Sequence, residues 1–166
     1  AGPEYAYVPD GLTFGDFFTS VGTINLNYTY IVSQKLTVKS DGNTALYYTI
    51  LHEVGHVLGI GTFWSTNYNA PIVSYIDEND GTTKKYYSGS NALEEYRDYF
   101  NNNNLLGVPI EDDGGSGTVD GHPEEGYHAN YSTDDRYINN VYHPPLNDEL
   151  MTGWAESGTT VMPFSR

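Results

Sequence analysis

"HEVGHVLGIG", residues 52–61, decides how the rest of the chain is read. His52 and His56 stand four residues apart with Glu53 between them. On a helix that spacing is about one turn, so both imidazoles leave the same face and can grip one tetrahedral ion. Glu53 sits beside them at an angle that suits a base acting on water, not a ligand. Gly59, three residues after His56, can take the left-handed conformation that ends a helix and turns the chain beneath a metal. A third histidine close after this helix would fall at position 62, which holds Thr62. The plainer alternative is a solvated helix face with two incidental histidines. Against it, Leu46, Tyr47, Ile50, Leu51, Val54, Val57 and Leu58 share one broad apolar arc that leaves out both histidines. A helix apolar over so wide an arc turns its remaining face to a cleft rather than open water.

Working outward, the helical period runs from Thr44 to Ile60, and "SDGN" (40–43) supplies its cap. Before it, "TINLNYTYIV" (23–32) and "KLTVK" (35–39) alternate apolar and polar residues and read as two paired strands. After it, "SYID" and "KKYY" flank "ENDG" as a hairpin, and "NALEEYRDYF" (91–100) reads as a helix capped by Asn91 with Glu94 reaching back. Residues 1–20 read as irregular, and 101–166 as loop-rich. The expected class is α+β with a small mixed sheet and an active-site helix. No internal repeat or linker divides the chain, so residues 1–166 form one domain, with an upper part of about 1–60 and a lower, loop-rich part of about 61–166.

The 166 residues are enough for one domain with a core, and 14% aromatic content with 16 tyrosines is not the composition of a disordered chain. A net charge of −15 with only seven Lys and Arg argues against nucleic acid or an anionic membrane as partner. No stretch is long and apolar enough for membrane insertion. There is no cysteine, so a metal site must be built from His, Asp or Glu. "DENDG" (77–81) and "EDDGGSGTVD" (111–120) space carboxylates and glycines in a way that can coordinate calcium, Ca2+, although neither matches an EF-hand loop. The start "AGPEY" has no methionine, which points to a processed product or a piece of a larger parent protein or assembly.

Two imidazoles alone make a weak site, so His122, His128, His143 or an acidic residue should complete it. Here the chain resembles a known family. "LHEVGHVLGIGTFW" (51–64), "YYSGSNALEEY" (86–96), "GVPIEDDGGSGTVDGH" (107–122) and "NDELMTGW" (147–154) occur in the order seen in the leishmanolysin-like branch of the metzincin metallopeptidases, with bacterial and viral members most similar. The resemblance spans roughly residues 45–165. It implies that His52, His56 and His122 bind the metal, that Glu53 is the catalytic base, and that Met151 belongs to a methionine turn beneath the metal. In one place the pattern differs: Met151 follows His122 at a distance of 29 positions, well beyond the usual family distance. The tyrosine-rich insertion "YHANYSTDDRYINNVYH" (127–143) fills the gap and keeps His143 and His128 as alternatives for the third ligand.

The resemblance implies a zinc-dependent endopeptidase acting on a peptide or protein substrate. Zinc, Zn2+, on three neutral imidazoles keeps a position for water and lowers the pKa of that water towards about 7. Glu53 would move the proton from that water to the leaving amine. Tyr127 or Tyr142 of the insertion could assist at the oxyanion. The expected setting is extracellular: secreted, at a cell surface or in a virion. A competing reading keeps the zinc as a staple in a catalytically silent binding module of such an assembly, and self-processing would explain the ends of the chain.

Overall fold

The computed structural model describes residues 2–7, 18–64, 69–125, 136–147 and 149–153, and the backbone alone for 2–7 and 18–20. The first pair of strands, β1 (Gly2–Tyr7) and β2 (Phe18–Thr23), is antiparallel. Helix α1 (Tyr28–Gln34) follows, and then helix α2 (Ala45–Leu58) carries the histidine motif. β2 comes close to α2 at Gly22, where a side-chain carbon would lie 2.3 Å from Val57 Cγ1. That contact admits only a glycine.

Helix α2 is bounded by its own side chains and backbone. Thr44 is extended and its hydroxyl accepts from Tyr47 N, satisfying one of the free amides of the first turn. At the other end Gly59 takes φ 111°, and its N–H returns to the carbonyls of Gly55 and His56. The cap is therefore Thr44 and not a residue of 40–43. Those residues instead form a tight turn in which Asp41 accepts from Asn43 N while Gly42 takes φ 89°.

Residues 23–32 correct the sequence reading. No strand runs through this stretch beyond Thr23; Asn27 caps a helix by accepting from Thr29 N. The alternation of Tyr28, Tyr30 and Val32 carried no strand because neither face is buried; Tyr28 and Tyr30 are 78% and 65% exposed. A period of two holds a strand in register only where one face is covered. "KLTVK" likewise forms no strand, and Val38 makes only an isolated bridge to Thr44.

The lower part follows the expected order more closely. β3 (Ile72–Ile76) and β4 (Thr83–Tyr87) form the hairpin around residues 77–82, and β5 (Val108–Pro109) pairs with β4. Helix α3 (Ser90–Phe100) begins one residue earlier than expected, from Gly89, with no side-chain cap, so Asn91 does not cap it. β6 (Arg136–Ile138) and β7 (Val141–His143) form a second hairpin. Asn139 and Asn140 turn it with φ 51° and 61°, a pair of left-handed residues suited to a two-residue hairpin loop. Among the described residues every pairing is antiparallel, where a mixed sheet was expected.

Among the described residues the core is small and lies in this lower part. Tyr96, Leu105, Val108 and Leu146 are buried together, with Ala92, Phe100 and Val141 packed around them. The Tyr96 hydroxyl donates to Pro144 O, and Arg97 Nε donates to Leu105 O, so α3 is pinned to the loops on both sides. Much of the remaining burial is polar. Arg136 is 1% exposed and pairs with both Asp112 and Glu124, tying the β6–β7 hairpin to the 111–124 segment.

The two acidic stretches gain no support as calcium sites. In the first, Asp77 accepts from Asn79 N, and Asp80 accepts from Thr82 N and pairs with Lys84. In the second, Glu111, Asp112 and Glu124 do bring oxygens within 4.8 Å of one another, but the guanidinium of Arg136 already binds two of these carboxylates.

Two predictions follow from this packing. Tyr96→Ala should lower stability by about 3–5 kcal/mol, as removal of a fully buried ring does. A shift in the urea midpoint worth less than about 1 kcal/mol would mean that this cluster is not the core. Burial also pushes the Glu111 carboxyl up to about 7. A raised folded-state pKa gives a contribution present below the unfolded value and lost as pH rises through the folded one. Glu111→Gln should therefore gain stability relative to the native chain between pH 5 and pH 8, by on the order of 2 kcal/mol. A difference independent of pH would contradict the burial of this group.

Candidate metal centre

Helix α2 places the rings of His52 and His56 with centroids 4.6 Å apart and planes at 86°. His122 reaches them from a long loop that closes on itself. Ile110 bridges to Pro123, Glu111 N donates to His122 O, and Asp120 N donates to Glu111 O. Lys85 holds the loop from the β3–β4 hairpin through a 2.6 Å pair with Asp120. Gly61 sets the approach of this loop to the end of α2. It takes φ 75°, and a Cβ on it would lie 1.8 Å from Gly121 O, immediately before His122. Thr62, where a nearby third histidine would have stood, donates its hydroxyl to His56 O.

The three rings meet through their Nε2 atoms. His56 and His122 are 3.0 Å apart at Nε2, and His122 and His52 are 3.3 Å apart. Each Nδ1 faces a backbone carbonyl: Leu150 O for His52, Ile60 O for His56 and Thr118 O for His122. A carbonyl can only accept, so each neutral ring carries its proton on Nδ1 and turns the Nε2 lone pair inward. Three lone pairs this close repel one another unless a cation lies between them. A tetrahedral zinc with nitrogen ligands at about 2.0–2.1 Å would space those nitrogens about 3.4 Å apart, so the donor set fits zinc.

Electrostatics keep the rings in the form a metal needs. Burial lowers the His56 and His122 pKa values, His122 to about 4, and the neighbouring imidazoles lower them further. His122 therefore stays neutral at mildly acidic pH. Glu53, half-buried on α2 beside His52, contributes negative charge at His56 and His122 and opposes that lowering.

Met151 lies beneath the helix. It is 3% exposed, and its Sδ occupies the space of the missing Gly55 side chain, 2.3 Å from where a Cβ would stand. Gly55 lies within the motif, immediately before His56, so the thioether is a soft, polarizable floor under it. The adjoining Leu150 supplies the carbonyl that holds His52.

The remaining sequence candidates fall elsewhere. His143 is fully buried, but its Nδ1 donates to Val141 O and its Nε2 accepts from Leu106 N at 2.8 Å. Both nitrogens are used, so His143 is a structural residue and not the third member of the cluster. His128 and Tyr127 lie outside the described residues. Tyr142 stands in β7 opposite Tyr137, with ring centroids 5.5 Å apart. Sequence reasoning missed Ile60, Thr118 and Leu150, which act through carbonyls and leave no side-chain signature. Gly61 was visible in "GIG", but its role depends on Gly121, sixty residues away.

His122→Ala should lose stoichiometric zinc on dialysis, while His143→Ala should keep it despite lower stability. Equal loss in both would show that the cluster is wrongly composed. Gly61→Ala should weaken zinc about 10–100-fold in a chelator competition, the usual effect of disturbing what orients a ligand. An unchanged affinity would mean that the loop accommodates the methyl group.

The sequence profile of the leishmanolysin peptidases matches residues 4–142, a span that holds His52, Glu53, His56 and His122 and ends before Met151. No curated protein and no solved structure matches the chain. With most of its length matched, and with a histidine cluster that could hold a metal, the chain belongs to the leishmanolysin family of metallopeptidases.

Proposed function

We propose that the chain is a zinc endopeptidase of the metzincin type, with His52, His56 and His122 as ligands, Glu53 as general base and Met151 in the turn beneath the site. The observation that carries this reading is the convergence of three Nε2 lone pairs on one point, with Glu53 on the same helix. When bound, zinc supplies a Lewis acid and acidifies water. Glu53 takes a proton from the water as its oxygen attacks the carbonyl carbon of the scissile peptide. The C–N bond then breaks, and Glu53 passes the proton to the departing nitrogen. The carbonyl bonds at the three Nδ1 atoms keep the rings from turning while charge builds up on the substrate oxygen.

The substrate is a peptide or protein, and we place the activity outside the cell. Among the described residues no helix is long and apolar enough to cross a membrane. A carboxylate beside the ligands favours catalysis over a purely structural zinc, because a staple needs no base.

Glu53→Gln should retain one zinc per chain and lose casein cleavage by about 100-fold or more, in line with removal of a general base. Zinc retained with cleavage unchanged would remove Glu53 from the mechanism. Zinc bound by a native chain that cleaves nothing would favour the silent module.

A further inference from the structure

The loop that carries His122 has a neck. Its two sides meet where Ile110 bridges Pro123, where Glu124 N donates to Pro109 O and where Glu111 N donates to His122 O. Asp112 stands on one side of this neck and Glu124 on the other, and with Glu111 they bring carboxylate oxygens within 4.8 Å of one another. Left alone, such like charges push the two sides apart. His122 is only two positions before Glu124, so a shift of the neck moves the ring.

One guanidinium closes the neck. Arg136 Nη1 and Nη2 donate to the two carboxylate oxygens of Asp112 at 3.0 and 2.7 Å, and Nη2 also donates to Glu124. Two parallel bonds to one carboxylate fix direction as well as distance. Arg136 and Glu124 are both buried, so salt screens their contact little. The guanidinium in turn has a fixed base. Arg136 opens β6, Ile138 of the same strand is buried, and Val141 of β7 packs against the cluster around Tyr96. A continuous path of packed groups thus runs from the core through the hairpin to Arg136, and from Arg136 to the segment that holds His122. The hairpin belongs to the long stretch between His122 and Met151 by which this chain departs from the family spacing.

We infer that Arg136 is a positioning residue for the metal centre: it clasps the neck of the His122 loop and so sets where the third Nε2 stands relative to His52 and His56. The inference rests on the metal reading of the histidine cluster. Simple neutralisation of the carboxylates would be served as well by a lysine, whereas a clasp needs the planar fork.

The test loads the native chain, Arg136→Lys and Asp112→Asn with Co2+ as a coloured substitute for zinc. The absorption bands of the cobalt-saturated chain report the geometry of the ligands, which a mere loss of overall stability does not move. Both variants should shift these bands and weaken zinc about 10–100-fold in a chelator competition, the range expected when the support of a ligand is removed. Asp112→Asn alters a side chain that reaches solvent and keeps the Arg136–Glu124 pair, so it reads the clasp even where Arg136→Lys does not fold. Native bands and native zinc affinity in Asp112→Asn, or in a folded Arg136→Lys, would overturn the inference while leaving the metal centre in place. A native chain that binds neither cobalt nor zinc would sink the metal reading, and the clasp with it.

Discussion

Everything in the site depends on three imidazoles that are forced to face one another. Each ring is fixed by a proton on Nδ1 shared with a carbonyl, and the carbonyls come from three different places: the turn after α2, the loop before His122 and the segment before Met151. The fold therefore spends backbone geometry to bring three electron-rich nitrogens within 3.0–3.3 Å along two of their edges. Without a cation that arrangement is unfavourable, and with one it becomes a cross-link between helix and loops. Metal binding and folding of the lower part are then two aspects of one equilibrium.

This explains how so loop-rich a chain can hold a defined site. Among the described residues its main apolar cluster is the small one around Tyr96 and Leu105. Elsewhere the loops are held by charge and by close backbone approach. Arg136 gathers Asp112 and Glu124, Lys85 holds Asp120, and Gly61 lets the chain after α2 touch Gly121. A buried ion pair such as Arg136–Glu124 adds little net stability compared with an apolar contact. Breaking one partner is costly, however, because the other charge is left buried. Such pairs fix where a loop lies more than how firmly the whole chain folds.

The parts of the molecule legible in its sequence are those written in local side-chain chemistry. The motif on α2 is periodic over its whole length, and the end at Gly59 follows from a residue that tolerates φ 111°. The β3–β4 hairpin was marked by its turn residues, and His122 by the order of the family motifs. Where local pattern and tertiary burial part ways, the reading failed. Tyr28 and Tyr30 alternate like a strand yet face solvent on a short helix capped by Asn27. Only the order of the family motifs favoured His122; the residue types alone left His143 and His128 open beside it. Only the fold shows His143 spending both nitrogens on Val141 and Leu106. The carbonyl partners at positions 60, 118 and 150 were illegible in principle, since any residue type supplies the same oxygen.

X-ray absorption at the zinc edge of the metal-loaded chain tests the central claim most directly. Three imidazole nitrogens at about 2.0–2.1 Å from the metal are predicted, the count falling to two in His122→Ala and staying at three in His143→Ala. A native spectrum with two or fewer imidazoles, or one altered by the change at His143 alone, would contradict the account.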